Sequence, residues 1–161
     1  MEDKVKNKSL SIEEWCAYAN AGVDIPITIQ LSGYSMQPLI RYKKDYVTII
    51  PLRRKVKVSD IVVFLNTDNR YCAHRVSKIR DGKILTLGDN CYLPDSWKTP
   101  DEIIGLIVSM ERDGKKYNLD CKSARAYGRL HMALLPLRKL KRNTIQFLWK
   151  YYVKFFKGKD I

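Results

Sequence analysis

A serine hydroxyl becomes a nucleophile at neutral pH only beside a positioned base, and that base is usually held in one tautomer by a third group. This sequence offers few bases. Of its two histidines, His131 falls among basic residues near the C-terminus, whereas His74 lies in the strand-like run Tyr71-Cys72-Ala73-His74-Arg75-Val76. Period-two alternation places His74 on one face with Cys72 and Val76. A lone strand histidine is ordinarily a half-buried side chain and no more, so context has to decide. That context is Ser32-Gly33-Tyr34-Ser35-Met36-Gln37-Pro38, with a glycine for a tight backbone and a proline to fix the exit. The chemistry within reach is acyl transfer. In such a step Ser35 would attack a carbonyl carbon, His74 would take its proton and return it to the leaving group, and water would complete hydrolysis. The oxyanion first meets the Ser35 backbone N–H; Gly33, Ser32 and Met36 are the neighbouring oxyanion or substrate positions, with no second donor singled out.

Such residues need a scaffold to bring them together. At 161 residues, 45% hydrophobic and 29% charged, the chain suits one folded core. Residues 1–24 read as a polar segment and short helix, with Ser11 and Glu14 in capping-box spacing. From 25 to 121 short β-branched and aromatic runs alternate with turn signals, predicting strands near 27–31, 45–50, 60–65, 71–79, 83–87, 103–111 and 115–119. Asp81-Gly82 and Asp113-Gly114 are hairpin signals. The expected class is mainly β, a folded sheet or partly open barrel. Cys16, Cys72, Cys91 and Cys121 include no C-x-x-C pair, so neither a zinc ribbon nor a disulfide framework is expected, and no metal or cofactor.

Residues 122–161 form a basic helical tail, in which Pro136 starts a second helical piece. Eleven basic residues and one acidic residue follow Cys121, so ten of the thirteen net positive charges lie there. Such asymmetry points to an anionic partner. On the second piece Leu137, Leu140, Leu148, Tyr152 and Phe155 share one side, with Lys150 and Lys154 opposite and Trp149 widening the apolar arc. Trp149, Tyr152, Phe155, Lys150 and Lys154 are therefore candidates for contact with an anionic membrane surface. Packing on the core or on a second subunit is the plainer alternative, and nucleic acid ranks third. No run reaches the roughly 18 to 20 apolar residues of a spanning helix, and Met1 to Ser11 lacks the apolar stretch of a secretory signal. A cytoplasmic chain, at most peripheral at the inner membrane face, is expected.

Four boxes occur in order: Gly33-x-Ser35-Met36-x-Pro38, Val58-Ser59-Asp60-Ile61-Val62-Val63-Phe64, His74-Arg75-Val76, and Gly88-Asp89-Asn90 with Asp95. Together they resemble type I signal peptidases and SOS-repressor-type peptidases over about half of the chain. The bacterial branch of that superfamily has a lysine where this chain has His74; the His-Arg-Val form is similar to the endoplasmic-reticulum and archaeal type with a serine–histidine dyad. The resemblance implies Asp95 as the acid that orients His74, Asp89 as support for its loop, and a preference for small side chains before the scissile bond. Some relatives carry a serine hydroxyl two positions before the nucleophile, where this chain has Gly33. The implied function is a serine endopeptidase acting on a peptide or protein in leader or signal-peptide processing. A self-cleaving regulatory peptidase, suggested by Ala21-Gly22, and an inert peptide-binding module of the same fold are the alternatives.

Overall fold

The computed structural model describes residues 10–156, and of 145, 146 and 148–156 the backbone alone. The chain begins with α1 (Ile12–Asn20), then β1 (Ile27–Gln30), β2 (Tyr46–Pro51), β3 (Ile61–Leu65), β4 (Tyr71–Arg80) and β5 (Lys83–Leu87). It continues with β6 (Ile103–Arg112), β7 (Lys115–Asn118), α2 (Lys122–Ala133) and α3 (Leu135–Phe156). The fold is mainly β, one antiparallel sheet of seven strands in the order β1-β2-β6-β3-β4-β5, with β7 pairing β6. The sheet does not close on itself.

Local chemistry sets the boundaries. Ser11 caps α1 by accepting from the Glu14 N–H at 3.2 Å, and the Glu14 carboxylate accepts from the Ser11 N–H at 2.9 Å, so two otherwise orphaned donors are satisfied. Asp81 (φ 49°) and Gly82 (φ 73°) both take the left-handed conformation that a two-residue hairpin turn demands, and the register closes at Arg80 opposite Lys83. Asp113 and Gly114 do the same between β6 and β7. Pro136 is the second residue of α3, where its missing N–H costs no helical bond.

Strand β3 lies at the centre, and its first four residues are buried. Alternation sends Ile61 and Val63 to one face and Val62 and Phe64 to the other. The first face packs Trp15 and Ala19 of α1 with Met36, Val47, Ile49 and Ile107. The second joins Val76, Ile84, Ile103 and Leu106. Because Val62 sits opposite His74, the second face also carries the histidine. The tail does not stand apart from this body. Gly128 of α2 is buried, and a β-carbon there would come within 2.5 Å of the Arg75 guanidinium, so the helix backbone rests directly on that side chain.

Candidate active site

Strand β1 ends at Gln30 and the chain turns through 34–40, where the Ile40 N–H donates to the Met36 carbonyl at 2.9 Å. Ser35 is half-buried in this turn. The Met36 side chain, named above as an oxyanion or substrate position, is instead 2% exposed and packed in the first core face, because the turn needs an apolar anchor. Met36 therefore serves the site by fixing the turn. Ser32 and Gly33 are exposed beside it. A β-carbon on Gly33 would stand 3.9 Å from the Ser35 Oγ, an ordinary contact, so a serine would fit there and the glycine simply leaves that side without a hydroxyl.

The other half of the site comes from the β4–β5 hairpin and the chain that follows it. Residue Ser77 forms a bulge, which pairs Val76 with Thr86 and Arg75 with Leu87. After β5 the turn 88–91 reverses the chain, and it returns beside β5 through the Asp95 N–H to the Thr86 carbonyl at 2.9 Å and through Lys98 opposite Ile84. This return brings Asp95 over His74. His74 Nδ1 lies 2.7 Å from Asp95 Oδ2, and Thr86 Oγ donates to the same oxygen at 2.6 Å. Burial pulls the Asp95 carboxyl upward, but the bonds from His74 and Thr86 outweigh it and hold the group below the usual carboxylate range. A charged Asp95 must take Nδ1–H as a donor, which leaves the Nε2 lone pair as the basic end of the ring.

Nε2 faces the serine turn at Gly88. A β-carbon on this buried glycine would lie 3.1 Å from His74 Nε2 and 2.8 Å from the Ser35 carbonyl oxygen, so only glycine permits the two to approach across it. The Ser35 carbonyl also accepts from the Asn90 N–H at 2.7 Å, and Asn90 Nδ2 donates to the Tyr34 carbonyl at 3.3 Å. Among the described residues no hydrogen bond joins Ser35 Oγ to His74.

No protein-family model matches this chain, and no curated protein matches it. Its site stands on its own geometry.

Asp89, the second acidic candidate, does not touch His74. It meets Arg75 through two bonds of 2.7 Å, with both residues 2% exposed, and Arg75 also donates to the Ser59 carbonyl at 3.0 Å. The five membrane candidates Trp149, Lys150, Tyr152, Lys154 and Phe155 have side chains outside the described residues.

Two site residues escaped sequence reasoning. Thr86 reaches Asp95 only because of the Ser77 bulge, which no composition signal announces. Lys98 is 4% exposed; its ammonium lies 4.4 Å from the centre of the Phe64 ring, which stands T-shaped to the His74 ring with the two ring centres 5.8 Å apart. Its positive charge also helps keep Asp95 ionised. Only its strand-like spacing from Ile84 could have pointed to it.

Proposed function

We propose that this chain is a serine endopeptidase of the signal-peptidase and SOS-repressor kind, in which Ser35 is the nucleophile, His74 the general base and Asp95 its orienting acid. One observation carries the reading: Asp95, itself held by the Thr86 hydroxyl, fixes the His74 ring by Nδ1, and the free Nε2 of the ring faces the Ser35 turn across Gly88. A histidine locked at one nitrogen and open at the other beside a serine is the arrangement that general-base activation requires. The substrate is a peptide or protein chain, in keeping with leader or signal-peptide processing.

The self-cleaving alternative is less well supported. Its candidate bond, Ala21-Gly22, sits in the C-terminal cap of α1, where Gly22 N–H donates to the Ala19 carbonyl and Val23 N–H to the Tyr18 carbonyl. A scissile segment has to be extended to enter a site, and this one is coiled into a helix end.

A fluorophosphonate tests the assignment, because it phosphonylates an activated serine, its phosphorus bonding to the hydroxyl oxygen as fluoride leaves. Incubation of the purified full chain is expected to give a single adduct, on Ser35 by peptide mapping, that disappears in His74→Ala. A folded wild-type protein that takes no label overturns the enzyme reading in favour of the inert module, and a loss of intact mass on standing would favour self-cleavage.

The proposed setting is the cytoplasmic face of an anionic membrane. Among the described residues no helix is long and apolar enough to cross a bilayer. Leu130, Leu137 and Leu140 are each more than 60% exposed on α2 and α3, and Arg129 and Lys141 are exposed beside them. Apolar residues rimmed by cations suit an interface containing acidic lipid. The full chain is expected to pellet with phosphatidylglycerol vesicles and not with phosphatidylcholine vesicles, and to lose that binding in Leu137→Asp/Leu140→Asp. Pelleting that is indifferent to both changes removes the membrane from the proposal.

A further inference from the structure

Helices α2 and α3 do more than rest on the sheet, because one of their arginines grips the loop that carries Gly88 and Asn90. Arg138 Nη2 donates to the Asp89 carbonyl oxygen, and Arg138 Nη1 lies 2.7 Å from His131 Nε2, itself 2.8 Å from that same oxygen. A guanidinium has donors and no acceptor. Arg138 Nη2 is therefore the donor to the Asp89 carbonyl whichever tautomer His131 adopts, and His131 Nε2 either donates to that oxygen or accepts from Arg138, not both. Tyr92, three residues further on, lies under Arg142 at 3.9 Å from ring centre to guanidinium carbon.

The oxygen that Arg138 holds belongs to the peptide group between Asp89 and Asn90, and the N–H of that same group donates to the Ser35 carbonyl at 2.7 Å. A trans peptide is planar and stiff, with its C=O and N–H pointing in opposite directions. It thus forms a rigid strut, with the tail arginine on one end and the backbone of the nucleophile on the other. A cation on the carbonyl also polarises the group and strengthens its N–H as a donor.

We infer that Arg138 is a positioning residue for the Ser35 nucleophile, acting through the Asp89–Asn90 peptide plane, so that the basic tail completes the active site from behind. The rate arm of this inference rests on the peptidase reading. Its structural arm does not.

Two measurements on the full chain test it together: the second-order rate of Ser35 phosphonylation by the fluorophosphonate, and hydrogen exchange at the Asn90 amide followed by NMR. Arg138→Ala is expected to slow phosphonylation about 10- to 100-fold, since a misplacement near 1 Å costs on the order of 10². It should also speed exchange at Asn90 while amides of β3 and β6 stay protected. Arg138→Lys, which keeps a cation and a donor, should recover much of both. Arg142→Ala removes a neighbouring anchor of the same helix without touching the strut, and is expected to leave the rate within about 3-fold of wild type, far from the 10²-fold scale of a misplaced group. A wild-type phosphonylation rate in Arg138→Ala, or equal slowing in Arg138→Ala and Arg142→Ala, overturns the inference, because the contact would then only dock the helix. Should the wild type take no label, the peptidase reading fails, and Asn90 exchange alone decides the strut: unchanged protection in Arg138→Ala overturns it, and faster exchange upholds the mechanical coupling.

Discussion

Asp95→Asn leaves the fold intact and slows acylation of Ser35 by roughly 10³- to 10⁴-fold, the scale at which an orienting carboxylate acts in serine hydrolases. The amide matches the carboxylate in size, so packing around it is unchanged. It lacks the negative charge that opposes the imidazolium formed when His74 takes the serine proton, and its NH₂ group can bond Nδ1 and leave the ring protonated on the wrong nitrogen. Acylation rates of purified wild type and variant, with circular dichroism as the check on folding, measure the effect; a loss below about 10-fold removes Asp95 from the catalytic assembly, since even a modest proton-transfer role contributes 10² or more.

The same substitution carries a pH signature in stability. The folded Asp95 carboxyl titrates below its unfolded value of about 3.9. A depressed carboxyl contributes stability that is fully present above the unfolded value and is lost as pH falls through the folded one. Urea midpoints of wild type and Asp95→Asn should therefore differ at neutral pH, with wild type the higher, and converge as the pH drops below about 4. A gap that widens on acidification would contradict this sign.

Asp89→Asn has the opposite profile: it should cost about 3–5 kcal/mol of folding stability, against a total of about 5–15 kcal/mol for an ordinary domain. Arg75 is 2% exposed and spends both arms of its fork on Asp89, with Gly128 of α2 pressed against it, so neutralising the partner leaves a cation in a dry place. Replacing both members by apolar groups, as in Arg75→Met/Asp89→Leu, should recover most of the loss, because the cost lies in the unpaired charge and not in the absence of the pair. Chemical denaturation of the two variants separates these outcomes. A double variant as unstable as Asp89→Asn would mean that the ion pair itself, through its hold on the loop, stabilises the fold.

Alternation along β4 already separates the two acids in principle. His74 and Arg75 are neighbours, so they project to opposite faces of the sheet, and a carboxylate that meets one is directed away from the other. What the sequence could not supply was which acid reached which face, because that depends on how the chain turns at 88–91. The fold was more legible. The capping box of α1, both Asp-Gly turns and the strands they join lie within about two residues of where pattern and turn chemistry predict them. Those features are local, and local chemistry decides them.

Thr86 shows where such legibility stops. From the Asp81-Gly82 turn, regular pairing would set Thr86 opposite Ser77 and out of line with His74; the single extra residue at Ser77 moves it opposite Val76, on the histidine's face. A one-residue slip thus decides whether Asp95 has a second donor. The tail escaped for another reason. Among the described residues its hold on the body runs through Arg125, Gly128, His131, Arg138 and Arg142, while Leu130, Leu137 and Leu140 stay outside, so the leucine pattern marks a face that the protein leaves open and gives no sign of the face it uses.

The proposed base and acid are carried by one β-hairpin and the segment returning beside it, whereas the proposed nucleophile belongs to a turn that leaves the opposite edge of the sheet. The two halves meet across a glycine hydrogen and two hydrogen bonds from Asn90, to the Ser35 and Tyr34 carbonyls. Competence is thereby a property of a seam and not of the core. Strain, heat or a mutation that parts this seam silences the chain while every strand is still in place.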